Sequence, residues 1–148
     1  MPKEKKDSFE KDFDLFSKSC EQKKLRLTPL RAAVWECLQK SKSPVGAYDI
    51  VKMLENTRLS APPVSVYRTL DFLCENDFAH RLPESGSYVL CRSAGKKHAP
   101  VFLMCATCGE IEEIETEKVF KELKKAAGRF KIKSVSAVVQ GVCAQCRK

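Results

Sequence analysis

Eight cysteines and two histidines carry most of the coordination chemistry available to this 148-residue chain. Four of the cysteines form two pairs, Cys105 and Cys108 in "CATC" and Cys143 and Cys146 in "CAQC", with 34 residues between the pairs. Two residues between thiols let both sulfurs approach one point. Two such pairs supply four thiolates, the closed tetrahedral set that structural zinc favours. A closed set leaves no position for a substrate, so its expected role is to hold the fold. The bland alternative is a set of unrelated surface thiols, or one redox pair. A redox pair ordinarily precedes a helix whose N-terminus stabilises the thiolate. Cys108 is followed instead by "GEIEEIE", which reads as strand.

The other four cysteines divide differently. Cys37 and Cys74 fall on apolar helix faces and read as small buried hydrophobes, and Cys20 reads as packing. Cys91 closes a β-like hairpin that His80 opens, and His98 follows a short polar stretch beyond it. A hairpin brings its ends together, so these three can converge. One carboxylate from "EIEEIE" would complete a four-donor set of N, S and O ligands. Spacing does not choose among the glutamates, and a lone histidine is more often packed or solvated than a ligand.

Helices and a hairpin must place these groups. Phe9, Phe13, Phe16 and Cys20 recur at helical spacing. A second helix starts at "LTPLRAAVWECLQK", with Thr28 as N-cap and Pro29 at the first helical position. Val34, Cys37 and Leu38 share its inner face, and Ile50, Met53 and Leu54 mark the inner face of a third helix. "SAPPV" predicts a loop, after which Ser65 caps "SVYRTLDFLCEND". There Val66, Leu70, Leu73 and Cys74 point inward, leaving Ser65, Tyr67, Arg68 and Asp71 outside. "FAHRLPESGSYVLC" then gives two short strands around a "PESGS" turn. Three helices followed by a hairpin is the order of a winged helix. Beyond "RSAGKKHAP", a plausible hinge, come a strand over about 100 to 104, the first cysteine pair, a strand in "EIEEIE", a helix in "TEKVFKELKKAAG" and a strand in "FKIKSVSAVVQ". No internal repeat or low-complexity segment appears.

Composition excludes some classes. Hydrophobic residues at 43% suffice for a packed interior, so the chain is not disordered throughout. No uncharged apolar run is long enough to span a bilayer, and "MPKEKKDSFEKDFDLF" lacks the apolar core of a secretory signal. A cytosolic location is expected, where thiols stay reduced and cysteines point to metal or redox chemistry. The net charge of +8 suits a nucleic-acid partner, yet residues 1–84 carry only +2 of it and residues 85–148 the other +6. DNA binding by the first half would therefore depend on local placement, as in "KKLRLTPLR".

"LTPLRAAVWECL", "GAYDIVKML", "VYRTLDFL", "YVLC" and the two cysteine pairs, in that order, resemble the ferric uptake regulator family of bacterial metalloregulators. The likeness runs from about residue 20 to Cys146. "AYDI", the "PP" before "VYRTLDFL", and "SYVLC" are most similar to its zinc uptake regulator branch. The resemblance implies an α+β fold. A winged helix-turn-helix DNA-binding domain would occupy residues 1–91, a hinge 92–99, and an α/β dimerisation domain with the four-cysteine zinc site 100–148. It implies two zinc ions per subunit: Cys105, Cys108, Cys143 and Cys146 match the structural ligands, while His80, Cys91, His98 and Glu113 match the interdomain sensing site. Glu112 and Glu115 flank the last of these, and strand alternation separates them only in part. "LTPLR" stands where the family has "LTPQR", and Ser65 where threonine is common. The histidine-rich stretch of iron- and peroxide-sensing members is missing, which argues against iron.

A recognition helix reads the major groove with its N-terminal residues. On that basis Tyr67 and Arg68 are the expected groove residues, Arg68 able to reach a guanine edge and Tyr67 to pack on thymine methyls or bind phosphate, with Ser65 on the same DNA-binding face. Lys23, Lys24, Arg26, Arg31 and Tyr48 are the expected phosphate contacts. The function so implied is a cytoplasmic, homodimeric, zinc-responsive repressor of zinc-uptake genes. It would bind a palindromic double-stranded operator, with no membrane, no small-molecule substrate and no enzymatic activity. The rivals are an iron, manganese, nickel or peroxide sensor of the same family, and a thiol-disulfide enzyme. Cys91 favours zinc over iron(II) or manganese, because thiolate is a soft ligand.

Overall fold

The computed structural model describes residues 3–92, 98–114, 117–133 and 135–148. The hinge expected at 92–99 therefore falls mostly on residues outside the described set, as does Glu115. Four helices lead the chain: α1 (Lys3–Gln22), α2 (Pro29–Lys40), α3 (Ala47–Glu55) and α4 (Pro63–Glu75). Aromatic packing joins the first two, since Phe16 stacks on Trp35 with ring centroids 5.0 Å apart and meets Phe78 edge-on at 4.9 Å. α1 ends in a left-handed turn, with Lys24 at φ 55° and the Leu25 N–H donating to the Cys20 carbonyl over 2.8 Å. α2 begins as its sequence dictates, with the Arg31 N–H donating to the Thr28 hydroxyl and Pro29 in the first turn.

Two details depart from expectation. α4 starts at Pro63 with Pro62 as N-cap, so Ser65 is a first-turn residue and not the cap. Proline costs nothing at a position whose N–H is unpaired anyway, so the second proline of "SAPPV" opens the helix instead of delaying it. Ser65 serves the helix through its carbonyl, which accepts from the Thr69 hydroxyl over 2.9 Å. Met53 is 49% exposed, because Ile50 and Leu54 already fill the inner face of the nine-residue α3.

A two-stranded wing follows, β1 (Ala79–Arg81) paired antiparallel with β2 (Tyr88–Leu90), His80 opposite Val89. Val45 bridges to Tyr88 through reciprocal backbone bonds of 3.0 and 2.8 Å, fastening the wing to the α2–α3 connection. Val34, Ile50, Val66, Leu70 and Leu73, all fully buried, form the core of this helical unit. Cys20 is buried in the same core, and Cys37 and Cys74 pack against it as expected.

The remainder is a three-stranded sheet ordered β4-β3-β5, with β3 (Val101–Cys105) central, β4 (Ile111–Ile114) and β5 (Ala137–Gly141). β3 and β4 are antiparallel neighbours. β3 and β5 are parallel, so the chain must cross over between them, and α5 (Glu117–Ala126) makes that crossover. A second apolar cluster joins the wing to this sheet: Leu82 and Val89 from the wing pack with Phe102, Ile111 and Val138. The backbone adds one direct tie, the Ile111 N–H donating to the Lys42 carbonyl over 3.2 Å. Val119, Leu123, Phe130 and the sheet residues Leu103 and Val139 leave large apolar surface exposed. Among the described residues no helix is long and apolar enough to cross a membrane.

Candidate metal centres and nucleic-acid face

The two cysteine pairs meet. β3 delivers Cys105 at its end, and the turn into β4 places Cys108, with Gly109 at φ 75° permitting the tight return. In-register pairing of Cys105 with Gly141 then carries the chain to Cys143 and Cys146. All four sulfurs lie within 4.8 Å of one another, and the Cys108 and Cys143 sulfurs are 3.9 Å apart. Zinc–sulfur bonds of about 2.3 Å in a tetrahedron put sulfurs about 3.8 Å apart, so the set fits that ion with little adjustment. Backbone N–H groups aimed at the Cys105 sulfur, Cys143 first (3.3 Å) and then Cys108, hold its thiol down to about 6. The Cys143 thiol, burial and the two remaining thiols push Cys146 up to about 12. Four thiols this close resist joint ionisation, and a dication at their centre removes that resistance.

The second cluster joins the wing to the sheet. His80 on β1, Cys91 just past β2, His98 and Glu113 on β4 place their donor atoms within 4.8 Å of one another. The Cys91 sulfur is 3.5 Å from His98 Nε2, His98 Nε2 contacts Glu113 Oε1, and His80 Nε2 lies 3.6 Å from that same oxygen. Strand register separates the glutamates. Glu113 stands opposite the buried Phe102 and faces inward with its side chain 5% exposed, whereas Glu112 stands opposite Leu103 and faces solvent. Burial alone would raise the Glu113 carboxyl, but His80, the Arg92 N–H (3.1 Å from Oε2) and His98 outweigh it and hold the group below its ordinary value. His80 Nε2 is buried and makes no hydrogen bond among the described residues. An imidazole nitrogen that makes no hydrogen bond, beside a carboxylate, a thiol and a second imidazole, belongs to a donor set suited to a borderline cation such as zinc. The ring of Phe102, 5.7 Å from that of His80, backs the site, and a cleft of about 550 Å³ lined in part by Cys91, Arg92 and Glu113 opens beside it. The supporting parts, namely Phe102, the Arg92 N–H and the Lys42–Ile111 tie, carried no sequence signal, because they act through backbone or plain apolar packing.

Tyr67 and Arg68 are exposed on the first turns of α4, outside the stripe of Val66, Leu70 and Leu73. Tyr48 is 63% exposed at the start of α3, Lys24 and Arg26 are exposed, and Ser65 is half-buried. Lys23 is engaged within the fold, its Nζ donating to the Asn76 carbonyl over 2.9 Å at the end of α4. The Arg31 guanidinium also has partners, contacting the Arg26 carbonyl and lying 3.5 Å from the centroid of the Phe72 ring.

A sequence model of the ferric uptake regulator family matches residues 22–140, which stops short of the second cysteine pair. The zinc uptake regulation protein of Escherichia coli (strain K12) is 33% identical over 132 residues, covering 87% of this chain and 77% of that protein. A zinc uptake regulator complexed with zinc and DNA superposes with a TM-score of 0.81 at 32% identity, over 88% of this chain and 89% of that one. Holo XcZur superposes at 0.79 with 33% identity, covering 88% and 92% of the two chains. Apo XcZur, at 31% identity and 89% and 93% coverage, superposes at only 0.51.

Proposed function

The chain belongs to the ferric uptake regulator family, and from that premise we propose that it is a zinc-responsive, DNA-binding transcriptional repressor. The observation that carries the reading is the origin of the second donor set, with His80 and Cys91 on the wing and Glu113 on β4. Any cation held there ties the helical unit to the sheet. The near-equal identities to holo and apo XcZur, set against TM-scores of 0.79 and 0.51, support a difference of arrangement between metal states.

In this reading residues 1–91 are the DNA-binding domain, 92–99 the hinge and 100–148 the dimerisation domain. Each subunit holds two zinc ions, a structural one at Cys105, Cys108, Cys143 and Cys146 and a regulatory one at His80, Cys91, His98 and Glu113. Zinc, when bound, supplies a dication that can join sulfur, nitrogen and oxygen donors. The protein does the rest. His80 and Cys91 anchor the wing, Glu113 anchors the sheet, and the Arg92 N–H orients the carboxylate. Fixing the wing fixes α4, because the Cys91 N–H bonds to the Phe78 carbonyl and the Phe78 N–H to the Leu73 carbonyl at the end of that helix (2.9 and 2.8 Å). The exposed apolar residues of α5 and the sheet form the contact of a homodimer, which sets two α4 helices at the spacing of a palindromic operator. Tyr67, Arg68 and Ser65 read bases, and Tyr48, Arg26, Lys24 and Arg31 meet the backbone. Zinc and operator raise each other's affinity, as linkage requires. The regulated genes are those of zinc uptake, and the protein works in the cytoplasm with no catalytic role.

The test is Cys91→Ser, which removes the softest regulatory donor and no clasp ligand. Bound zinc should fall from two ions to one per subunit at limiting free zinc, and operator binding should fall with it while the dimer persists. Wild-type zinc dependence in this variant would sink the interdomain sensor.

A further inference from the structure

Arg31 lies in the first turn of α2, yet its side chain is turned onto α4 and the segment before α2. Its guanidinium carbon is 3.5 Å from the centroid of the Phe72 ring, and Nη1 donates to the Arg26 carbonyl. At 3.5 Å the guanidinium carbon sits over the ring, well within the range of a cation–π contact. Phe72 is four residues beyond Arg68, so both project from the same side of α4. Arg31 itself is half-buried.

We propose that Arg31 is a positioning residue for the recognition helix, acting through Phe72: its guanidinium fixes how α4 sits against α2 and so where Arg68 points. The inference rests on the DNA-binding reading above and assigns Arg31 a task different from neutralising a phosphate. Lysine cannot replace it, because an ammonium has no planar face to stack and a single-point geometry for the carbonyl. Any charge Arg31 offers DNA is presented from this held position. The contact therefore acts on sequence discrimination more than on overall attraction.

The experiment uses the zinc-loaded full chain. It measures operator affinity and affinity for an unrelated duplex as a function of salt for Arg31→Lys, Phe72→Leu, Phe72→Tyr and the Arg31→Lys/Phe72→Leu pair. Arg31→Lys and Phe72→Leu should each lower operator affinity about three- to tenfold, the scale of a lost cation–π contact. In Phe72→Leu, which alters no assigned DNA contact, affinity for the unrelated duplex and the salt slope should hold, because the net charge is unchanged. The pair should be no worse than the weaker single variant, the signature of one shared interaction. Phe72→Tyr keeps the ring face and should restore operator preference. The ratio of the two affinities is the readout, since partial unfolding lowers both alike. Operator preference retained in Arg31→Lys and Phe72→Leu, or losses that add in the pair, would overturn the proposal. A wild-type chain that prefers no operator at any zinc level would instead overturn the DNA-binding reading.

Discussion

Leu82→Ala offers a test of how the metal switch is balanced. Leu82 is 3% exposed and belongs to the small cluster between wing and sheet, not to the helical core. The cluster sets Leu82 and Val89 of the wing against Phe102, Ile111 and Val138 of the sheet, so the side chain stabilises the arrangement of the two units more than either unit. Truncating a buried leucine to alanine costs about 2–5 kcal/mol. Taking the low end, about 2 kcal/mol removed from the closed arrangement lowers its population relative to the open one about 30-fold. Apparent zinc affinity at His80, Cys91, His98 and Glu113 should drop by up to that factor, although none of the four is altered. The backbone bonds of the wing turn, Leu82 N–H to Ser87 and Gly86 N–H to Leu82, do not involve the side chain and should persist. The assay is operator binding across buffered free zinc. The midpoint should move to higher zinc while the plateau at saturation returns to the wild-type value. Ile50→Val, a truncation of about 0.5–1.5 kcal/mol within the helical core, should lower the melting temperature and leave the midpoint in place. An unmoved midpoint in Leu82→Ala would show that the cluster is equally formed with and without regulatory metal, and the coupling argument would fail.

Two further outcomes are expected. Cys143→Ser should remove the clasp ion and destabilise the C-terminal sheet, because metal binding and folding share one free energy there; unchanged zinc content and melting would refute the assignment. Arg68→Ala should weaken operator binding by about 1–3 kcal/mol and relax base preference, whereas Lys24→Gly should weaken all sequences alike and reduce the salt slope by about 1. Glycine is the clean replacement at Lys24 because its φ of 55° disfavours alanine.

Much of this was legible in the residues. Thr28 and Pro29 announce α2, the Val66, Leu70 and Leu73 stripe announces α4, and the spacing of the four clasp cysteines anticipates the cluster in which their sulfurs meet. The start of α4 was misread because tandem prolines both end helices and begin them, and only the partner of the missing N–H decides which. Glu113 could not be told from its neighbours by spacing, since choosing it needs the register that sets it opposite Phe102. For Arg31 the sequence suggests a phosphate contact and gives no sign of the Phe72 ring. A side chain's target across two helices is a tertiary fact, set by which ring it meets.

The β3–β4 hairpin reaches both candidate metal centres. Cys105 and Cys108 lie at its turn, and Glu113, opposite Phe102, lies three residues up the strand, about 10 Å away. A slip of one residue in that ladder would turn Glu113 to solvent and bring Glu112 inward beside a cross-strand partner it does not match. The turn that fixes the ladder is the one closed by the four sulfurs. On the proposed assignment, an ion at the clasp would brace the ladder register on which the inward placement of Glu113 depends. On the same assignment this dependence is one-way, because none of His80, Cys91, His98 and Glu113 lies in the turn itself. Under that reading, a chain that lost only the upper ion would keep the register needed to take it up again, and a chain with an empty clasp would lack that brace.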